Sequence, residues 1–146
     1  MKNQFHPENG IVKRSFQFSL RIIEYCYVLE NNRRFNMSYQ LFRCGTSVGA
    51  NVAEAQNAES KSDFIHKMKI ASKEASETEY WLRLCLQSPN YPDCQDLLEE
   101  LEPMIKIIGR IIITSKKITH NLEINKAAHL HTCILAHKYN RLYFEQ

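Results

Sequence analysis

A heptad pattern in the middle of the chain is the strongest constraint on the fold. Apolar and small residues recur at alternating steps of four and three without a break; they are Phe64, Met68, Ala71, Ala75, Thr78, Leu82 and Cys85. This spacing places all of them on one side of an α-helix. We therefore predict a helix over about residues 60–87, which opens at Ser60 with Asp63 three residues later as in a capping box.

Three other segments repeat the same rhythm and predict helices over about residues 11–31, 38–57 and 93–122. Asn36 and Ser38 are N-cap candidates for the second of these helices. The fourth carries Pro103 inside its pattern, which removes a backbone donor and predicts a kink or a restart there. Its core line continues through Ile111, Ser115, Ile118 and Leu122.

The fold class follows from these four segments. Only 4 Gly and 4 Pro occur in 146 residues, too few for a protein of many strands and turns. Short connections force each helix back beside its predecessor. We predict an all-α, antiparallel up-down-up-down four-helix bundle over residues 1–122, with residues 123–146 as a C-terminal extension that forms either an amphipathic helix or a loose tail.

Composition points to a cytoplasmic protein without a membrane span. The first ten residues lack the apolar run of a secretion signal, and the richest apolar stretch, 104–113, is interrupted by Lys106 and Arg110. The 5 cysteines are odd in number and form no CxxC pair, so they suggest neither a disulfide framework nor a zinc site. The formal net charge is +3, with an excess of bases after residue 103.

The second and third helices carry polar residues beside their core lines. One set flanks the core line of the second helix and the other that of the third; the members are Arg43, Ser47, Asn51, Glu54, Glu74, Glu77 and Trp81. Folding back at residue 58 or 59 sets Arg43 level with Glu74, and we predict that they pair. The set is either a polar functional site or a group of hydrogen bonds that fixes helix and subunit packing; we favour the second interpretation. Gly45 and Gly49 predict close approach by a neighbouring helix.

No pattern predicts a catalytic centre, a metal site or a cofactor. Asp63-x-x-His66 is the only approach to the Glu-x-x-His motif of di-iron bundles, and it has no second copy. His129, Cys133 and His137 would align if the extension is helical, but a solvated surface is the favoured interpretation. Nucleophile elbows and Gly-rich phosphate loops are absent from the sequence, so we predict a protein that is not an enzyme.

Basic residues give a second functional hypothesis. His66, Lys69 and Lys73 share one face of the third predicted helix, and Lys106, Arg110 and Lys117 share one face of the fourth. They could follow the phosphates of RNA or DNA, above all when an oligomer repeats them. The alternative is a solvated surface in which Lys73 pairs with Glu77 four residues later.

Residues 43–54 (RCGTSVGANVAE), 63–65 (DFI) and 70–82 (IASKEASETEYWL) resemble the 23S rRNA intervening-sequence proteins. The chain departs from that pattern at Gly49, where a proline is common, and at Ala55, where a glycine is usual. The resemblance implies an antiparallel four-helix bundle, a ring that is commonly a pentamer, and no established catalytic activity. A remotely similar protein, the accessory determinant of diversity-generating retroelements, binds a reverse transcriptase and nucleic acid.

Two functional hypotheses result. The first is a non-catalytic homo-oligomeric interaction or scaffold protein, whose subunits meet through the small-residue and polar faces of the second and third helices. The second is an RNA- or DNA-binding accessory module that uses the basic residues, beside a protein partner. Salt-dependent binding separates the two.

Overall fold

The computed structural model describes the backbone of residues 10–144 and the side chains of residues 10–119, 121 and 124. It has four helices: α1 (Gly10–Asn31), α2 (Phe35–Ala55), α3 (Lys61–Gln87) and α4 (Gln95–Phe144). Helix α2 packs against both α1 and α3, and short connections join consecutive helices. The predicted all-α fold with up-down helix order is confirmed.

The chain divides into two compact units, Met1–Ile112 and Ile113–Gln146. The first unit has one hydrophobic core to which α1, α2, α3 and the first turns of α4 all contribute. Its largest fully buried apolar side chains come from the predicted heptad lines; they are Phe18, Ile22, Leu29, Leu41, Val48, Val52, Met68, Leu82, Leu101, Met104 and Ile108. The heptad pattern thus identified the core as far as Ile108.

Polar contacts fasten α1 to the start of α4 within this unit. Arg21 donates to Glu100 at 2.6 Å and also pairs with Asp96. The Tyr25 hydroxyl donates to the carbonyl of Pro92 at 2.8 Å. Acidic residues at the start of α4 therefore hold the first helix against the fourth.

The second unit contains the rest of α4, which extends to Phe144. Ile118, predicted to continue the core line, is instead 46% exposed, and Ile113 and Ile124 are also exposed. A heptad pattern alone therefore does not ensure burial. The side chains of Leu122 and of residues 125–146 lie outside the described residues.

The start of α2 differs from the prediction. The N-cap of α2 is Arg34, not Asn36 or Ser38, and its side chain makes no capping hydrogen bond. Arg33 takes a positive φ of 58° after α1, which lets the Arg34 amide donate to the Leu29 carbonyl at 2.8 Å, so the chain turns early enough for α2 to begin at Phe35. By contrast, Ser60 caps α3 as predicted and accepts from the Asp63 amide at 3.1 Å.

Helix α4 runs through Pro103 without restarting. The proline removes the hydrogen bond that would reach the Glu99 carbonyl one turn earlier. Both residues are exposed, so water can satisfy that carbonyl. Within the described residues, no helix is apolar over enough length to cross a membrane.

Candidate interaction site

A polar seam joins α2 to α3, formed by Arg43, Glu74, Glu77 and Trp81. Arg43 Nη1 lies 3.9 Å from Glu74 Oε2, which confirms the predicted pair. Its Nη2 makes a closer contact with Glu77 Oε1, and Trp81 Nε1 donates to that same oxygen at 3.3 Å. The two carboxylates lie on one face of α3 because they are three residues apart. Glu77 therefore pairs with Arg43 rather than with Lys73, which corrects the expected helical ion pair.

Glu74 depends on Arg43 more than Glu77 does. Its side chain is only 19% exposed, and its buried Oε2 has no hydrogen-bond partner in the described part of the chain. A buried carboxylate oxygen without a donor is costly unless a positive charge lies nearby. The arginine thus compensates a charge that α3 presents toward α2.

The remaining polar residues of α2 are satisfied within the same chain. Ser47 Oγ donates to the Arg43 carbonyl at 2.6 Å, and Asn51 Nδ2 donates to the Ser47 carbonyl at 2.9 Å. Glu54 accepts from Lys67 Nζ of α3 at 2.6 Å, and this hydrogen bond raises the pKa of Lys67. The hydrogen bonds fix α2 against α3, and a role at a subunit interface stays a prediction.

The glycines of α2 face α1 inside the bundle. A Cβ at Gly45 would lie 2.8 Å from Cγ2 of Ile22, and one at Gly49 would lie 3.1 Å from the backbone carbonyl oxygen of Ser15. Both distances are shorter than ordinary carbon contacts, so a side chain at either position would force α1 atoms to shift, and the two helices approach closely there. The small-residue face of α2 is used within the chain, and subunits meeting through α2 would have to use its other surfaces.

An apolar face on α1 and α2 is the largest feature that the sequence analysis missed. Seven large apolar or aromatic side chains on these helices are each between 43% and 68% exposed; they are Phe16, Leu20, Ile23, Tyr27, Phe35, Tyr39 and Phe42. The four on α1 follow steps of four, three and four, and the three on α2 follow steps of four and three. Each set therefore forms one stripe along its helix. This second heptad line was visible beside the core line and could have revealed the face.

The two stripes flank a common groove. Phe16 and Ser19 of α1 line a groove of about 190 Å³ together with Thr46, Gly49 and Ala50 of α2. Thr46 continues the α2 stripe four residues after Phe42, and Phe16 begins the α1 stripe. The groove therefore places the start of the α1 stripe and the continuation of the α2 stripe on the same side of the α1–α2 pair.

The predicted basic residues do not all have the same environment. Lys69 and Lys73 on α3 and Arg110 on α4 are exposed, and no ion pair involves them among the described residues. Lys106 pairs with Glu102 at 2.5 Å, and this hydrogen bond lowers the pKa of Glu102. Lys117 is exposed in the second unit.

The thiols of the first unit are poorly suited to catalysis. Cys26, Cys44, Cys85 and Cys94 are buried and free. Burial raises the pKa of Cys26 and of Cys85 to about 11 and also raises that of the other two. Thiols with raised pKa values are weak nucleophiles at neutral pH because the thiolate is scarce.

Metal ligands do not converge in the described part of the chain, where no three His, Cys, Asp or Glu side chains could hold an ion together. Asp63 is used at the start of α3, where its Oδ2 accepts from the Glu59 amide at 3.3 Å. The candidate ligands His129, Cys133 and His137 lie outside the residues whose side chains are described.

Comparison with known proteins assigns the family. The model of the 23S rRNA-intervening sequence protein family matches residues 8–114, more than two thirds of the chain. The chain belongs to this family. The chain is similar to a protein of unknown function from the S23 ribosomal protein family of Bacteroides thetaiotaomicron, whose crystal structure is known. The two sequences are 37% identical and the structures match with a TM-score of 0.66. The match covers 70% of this chain and 97% of that one. No curated protein matches the chain.

The range that matches the 23S rRNA-intervening sequence proteins contains the features of the first unit. The polar seam, the apolar face and the basic residues Lys69, Lys73, Lys106 and Arg110 all lie between residues 8 and 114. Lys117 and the second half of α4 lie outside it. The candidate interaction surfaces therefore belong to the part of the chain that carries the family fold.

Proposed function

We propose that this protein is a non-catalytic, self-assembling interaction protein that acts as a scaffold. The apolar face of α1 and α2 is the observation that carries this proposal. Its seven large side chains are about half exposed on average. Taking roughly 200 Å² for each side chain, the face offers roughly 700 Å² of apolar surface. Patches of this size on a water-soluble protein usually mark a protein contact.

The described side chains also favour a binding role over an enzymatic one. The buried thiols have raised pKa values, and the carboxylates Glu74 and Glu77 are held by Arg43. An active site needs an acid, a base or a nucleophile beside space for a substrate. The groove beside Phe16 is instead lined mainly by apolar and small residues.

The polar seam contributes to the scaffold by making each subunit rigid. Arg43 and Lys67 link α2 to α3, while the glycines bring α2 against α1. A rigid surface loses less conformational entropy when it binds than a flexible one does. The apolar face is thus carried by two helices that the rest of the bundle holds in place.

Solution mass as a function of concentration tests the proposal. We expect the purified protein to exceed the mass of one chain at micromolar concentration, and to dissociate on dilution if the contact is weak. The family resemblance predicts five copies, and that number is part of what the measurement decides. A single-chain mass across the whole range would refute the proposal.

Binding of RNA or DNA is a second candidate function, supported by the exposed side chains of Lys69, Lys73 and Arg110. These cations are not neutralised by an ion pair in the described part of the chain, unlike Lys106. Each phosphate contact releases counterions, so binding through them weakens steeply as salt rises. Assembly would repeat the cations and add their weak contacts.

Fluorescence anisotropy with structured RNA and duplex DNA tests this candidate at about 50 and about 200 mM salt. We expect the combined variant Lys69→Gln, Lys73→Gln and Arg110→Gln to lose binding and to flatten the salt dependence. Lys106→Gln is the matched control because its charge is already paired with Glu102. Equal binding by all three proteins, or none at low salt, would remove the candidate.

A further inference from the structure

We infer that the loop between α1 and α2 and the first turn of α2 form a binding site for a phosphate group, held by Arg33, Arg34 and the backbone amides of residues 35–37. The site is separate from the polar seam and from the basic residues of α3 and α4, and it does not depend on the proposed self-assembly. It is carried by a cavity with a cationic lining, in which several donors lack acceptors in the described part of the chain.

An open cavity of about 230 Å³ lies at this loop. Six residues line it, and none of them is acidic; they are Arg33, Arg34, Phe35, Asn36, Met37 and Tyr91. The volume is below the roughly 300–1,000 Å³ of pockets that enclose a drug-sized ligand. The cavity therefore suits a small charged group better than a whole organic molecule.

The two arginines of the cavity are not neutralised. Neither Arg33 nor Arg34 forms an ion pair among the described residues. The Arg34 guanidinium is held over the Tyr91 ring, 4.8 Å from its centroid, and its Nη2 donates to the Asn90 carbonyl at 3.4 Å. Its Nε is buried and has no acceptor in the described part of the chain, which is costly for a charged donor. A guanidinium fixed in this way, with donors still unused, is preorganised for an anion.

The backbone at Arg33 does not explain why an arginine occupies this position. Its φ of 58° lies in the left-handed region, which glycine and asparagine tolerate better. The side chain is exposed and lines the cavity. The charge of Arg33 is therefore the property that the proposed site uses.

The first turn of α2 adds backbone donors to the two arginines. The first helical hydrogen bond of α2 runs from the Ser38 amide to the Arg34 carbonyl at 3.0 Å. The N–H groups of residues 35–37 come before it and have no acceptor within the helix, and the Arg34 side chain does not cap them. All three residues line the cavity. Free N–H groups and the helix dipole add partial positive charge at this end of α2.

A phosphate group matches these donors better than a carboxylate does. A phosphate monoester carries a charge of about −1.5 to −2 at pH 7 and has three strong acceptor oxygens. Two arginines balance that charge, while the amides of the helix end can donate to the remaining acceptor positions. A carboxylate carries a single charge and would leave one arginine uncompensated. The phosphate can be the free ion or the phosphate group of a nucleotide, which share this chemistry.

Calorimetric titration at about 50 mM salt tests the ligand class, with inorganic phosphate, adenosine monophosphate, adenosine and acetate as probes. We expect the two phosphate compounds to bind and the other two not to bind. Tighter binding of adenosine monophosphate would identify a nucleotide as the source, and equal binding of both would identify the free ion. Absence of binding by both phosphate compounds, or equal binding of adenosine or acetate, would overturn the inference.

Arg33→Asn tests the site with little risk to the fold, because asparagine tolerates the left-handed backbone. We expect phosphate affinity to fall about tenfold, since charge-assisted hydrogen bonds are lost. Arg14→Gln is the matched control: it removes the same charge at an exposed position of α1 that has no ion pair among the described residues. Unchanged affinity in Arg33→Asn, or an equal loss in both variants, would overturn the inference.

Backbone amide chemical shifts locate the bound phosphate. On titration with inorganic phosphate, we expect the amide signals of residues 35–37 to shift in the wild type and in Arg14→Gln, and to shift far less in Arg33→Asn at the same concentration. Phosphate-dependent shifts confined to the surroundings of Lys69, Lys73 and Arg110 would place the anion on other cations and overturn the inference.

Discussion

Helix α2 contacts its two neighbours in different ways, and the difference separates stability from interaction. Toward α3 it presents Arg43, which pairs with two carboxylates, and Glu54, which pairs with Lys67. Toward α1 it presents Gly45 and Gly49, which allow close packing. The α1 side also carries the exposed apolar face, whereas the charged groups of the polar seam pair with one another within the chain. The seam therefore fixes α2 against α3, and the apolar face is the surface that we propose for contact with a second molecule.

Filling the glycine contact should have the largest effect on stability. Gly45→Leu would place a side chain into space occupied by Ile22, and we expect the free energy of unfolding to fall by about 3 kcal/mol. Urea denaturation measures the change. Gly109→Ala is the control: a Cβ there meets nothing within 4 Å, so the variant should gain about 0.5–1 kcal/mol from its higher helix propensity. Equal stability of wild type and Gly45→Leu would contradict close packing of α1 on α2.

Buried thiols report on both contacts of α2. Cys26 Sγ donates to the Ser38 carbonyl at the α1 contact, and Cys44 lies in the contact with α3. Burial raises the pKa of Cys26 to about 11, while the unfolded thiol titrates near 9. The raised pKa favours folding below pH 9, and this contribution is lost as the pH rises toward 11.

We therefore expect the free energy of unfolding to fall by about 1–2 kcal/mol more in the wild type than in Cys26→Ala between pH 8 and about 10.5. Denaturant titrations at both pH values give the difference. Alkylation of Cys26 and Cys44 in the folded protein should be slow at pH 8 for the same reason. Parallel pH profiles of wild type and variant would indicate a hydrated thiol at the α1 contact.

Breaking the polar seam should lower the free energy of unfolding by less than filling the glycine contact does. Arg43→Gln removes the cation that pairs with Glu74, but the arginine is 45% exposed and water screens the pair. We expect a loss of about 1 kcal/mol that shrinks as salt rises. Lys73→Gln, which removes an exposed charge with no ion pair among the described residues, should change stability by less than about 0.5 kcal/mol. A loss as large as that of Gly45→Leu would mean that the seam dominates the packing of α2.

The sequence predicted those parts of the molecule in which spacing alone decides burial. The core line of α1, the cap at Ser60 and the pairing of Arg43 with Glu74 follow from helical periodicity and a short loop. The prediction that Ile118 is buried was wrong, because a heptad pattern identifies one face of a helix but not what covers that face. Glu77 was assigned to Lys73 because local pairs are easier to predict than pairs between helices.

The apolar face was missed for a related reason. When each helix is assigned one core line, the opposite side of the helix is predicted to face solvent. Leu20 and Ile23 lie on that side of α1 and are nevertheless apolar. Helices can carry two heptad lines, one for the bundle and one for a partner. The glycines were predicted to allow close approach, but which helix approaches them required the three-dimensional packing.

The most direct test of this account is the solution mass of wild type, Leu20→Lys and Leu86→Lys over roughly a hundredfold range of concentration. Leu20 lies in the apolar face and Leu86 lies on α3, and they are similarly exposed, at 47% and 39%. We expect wild type and Leu86→Lys to assemble alike, while Leu20→Lys has the mass of one folded chain. Assembly of Leu20→Lys at wild-type strength, or a wild type that never exceeds one chain, would contradict it.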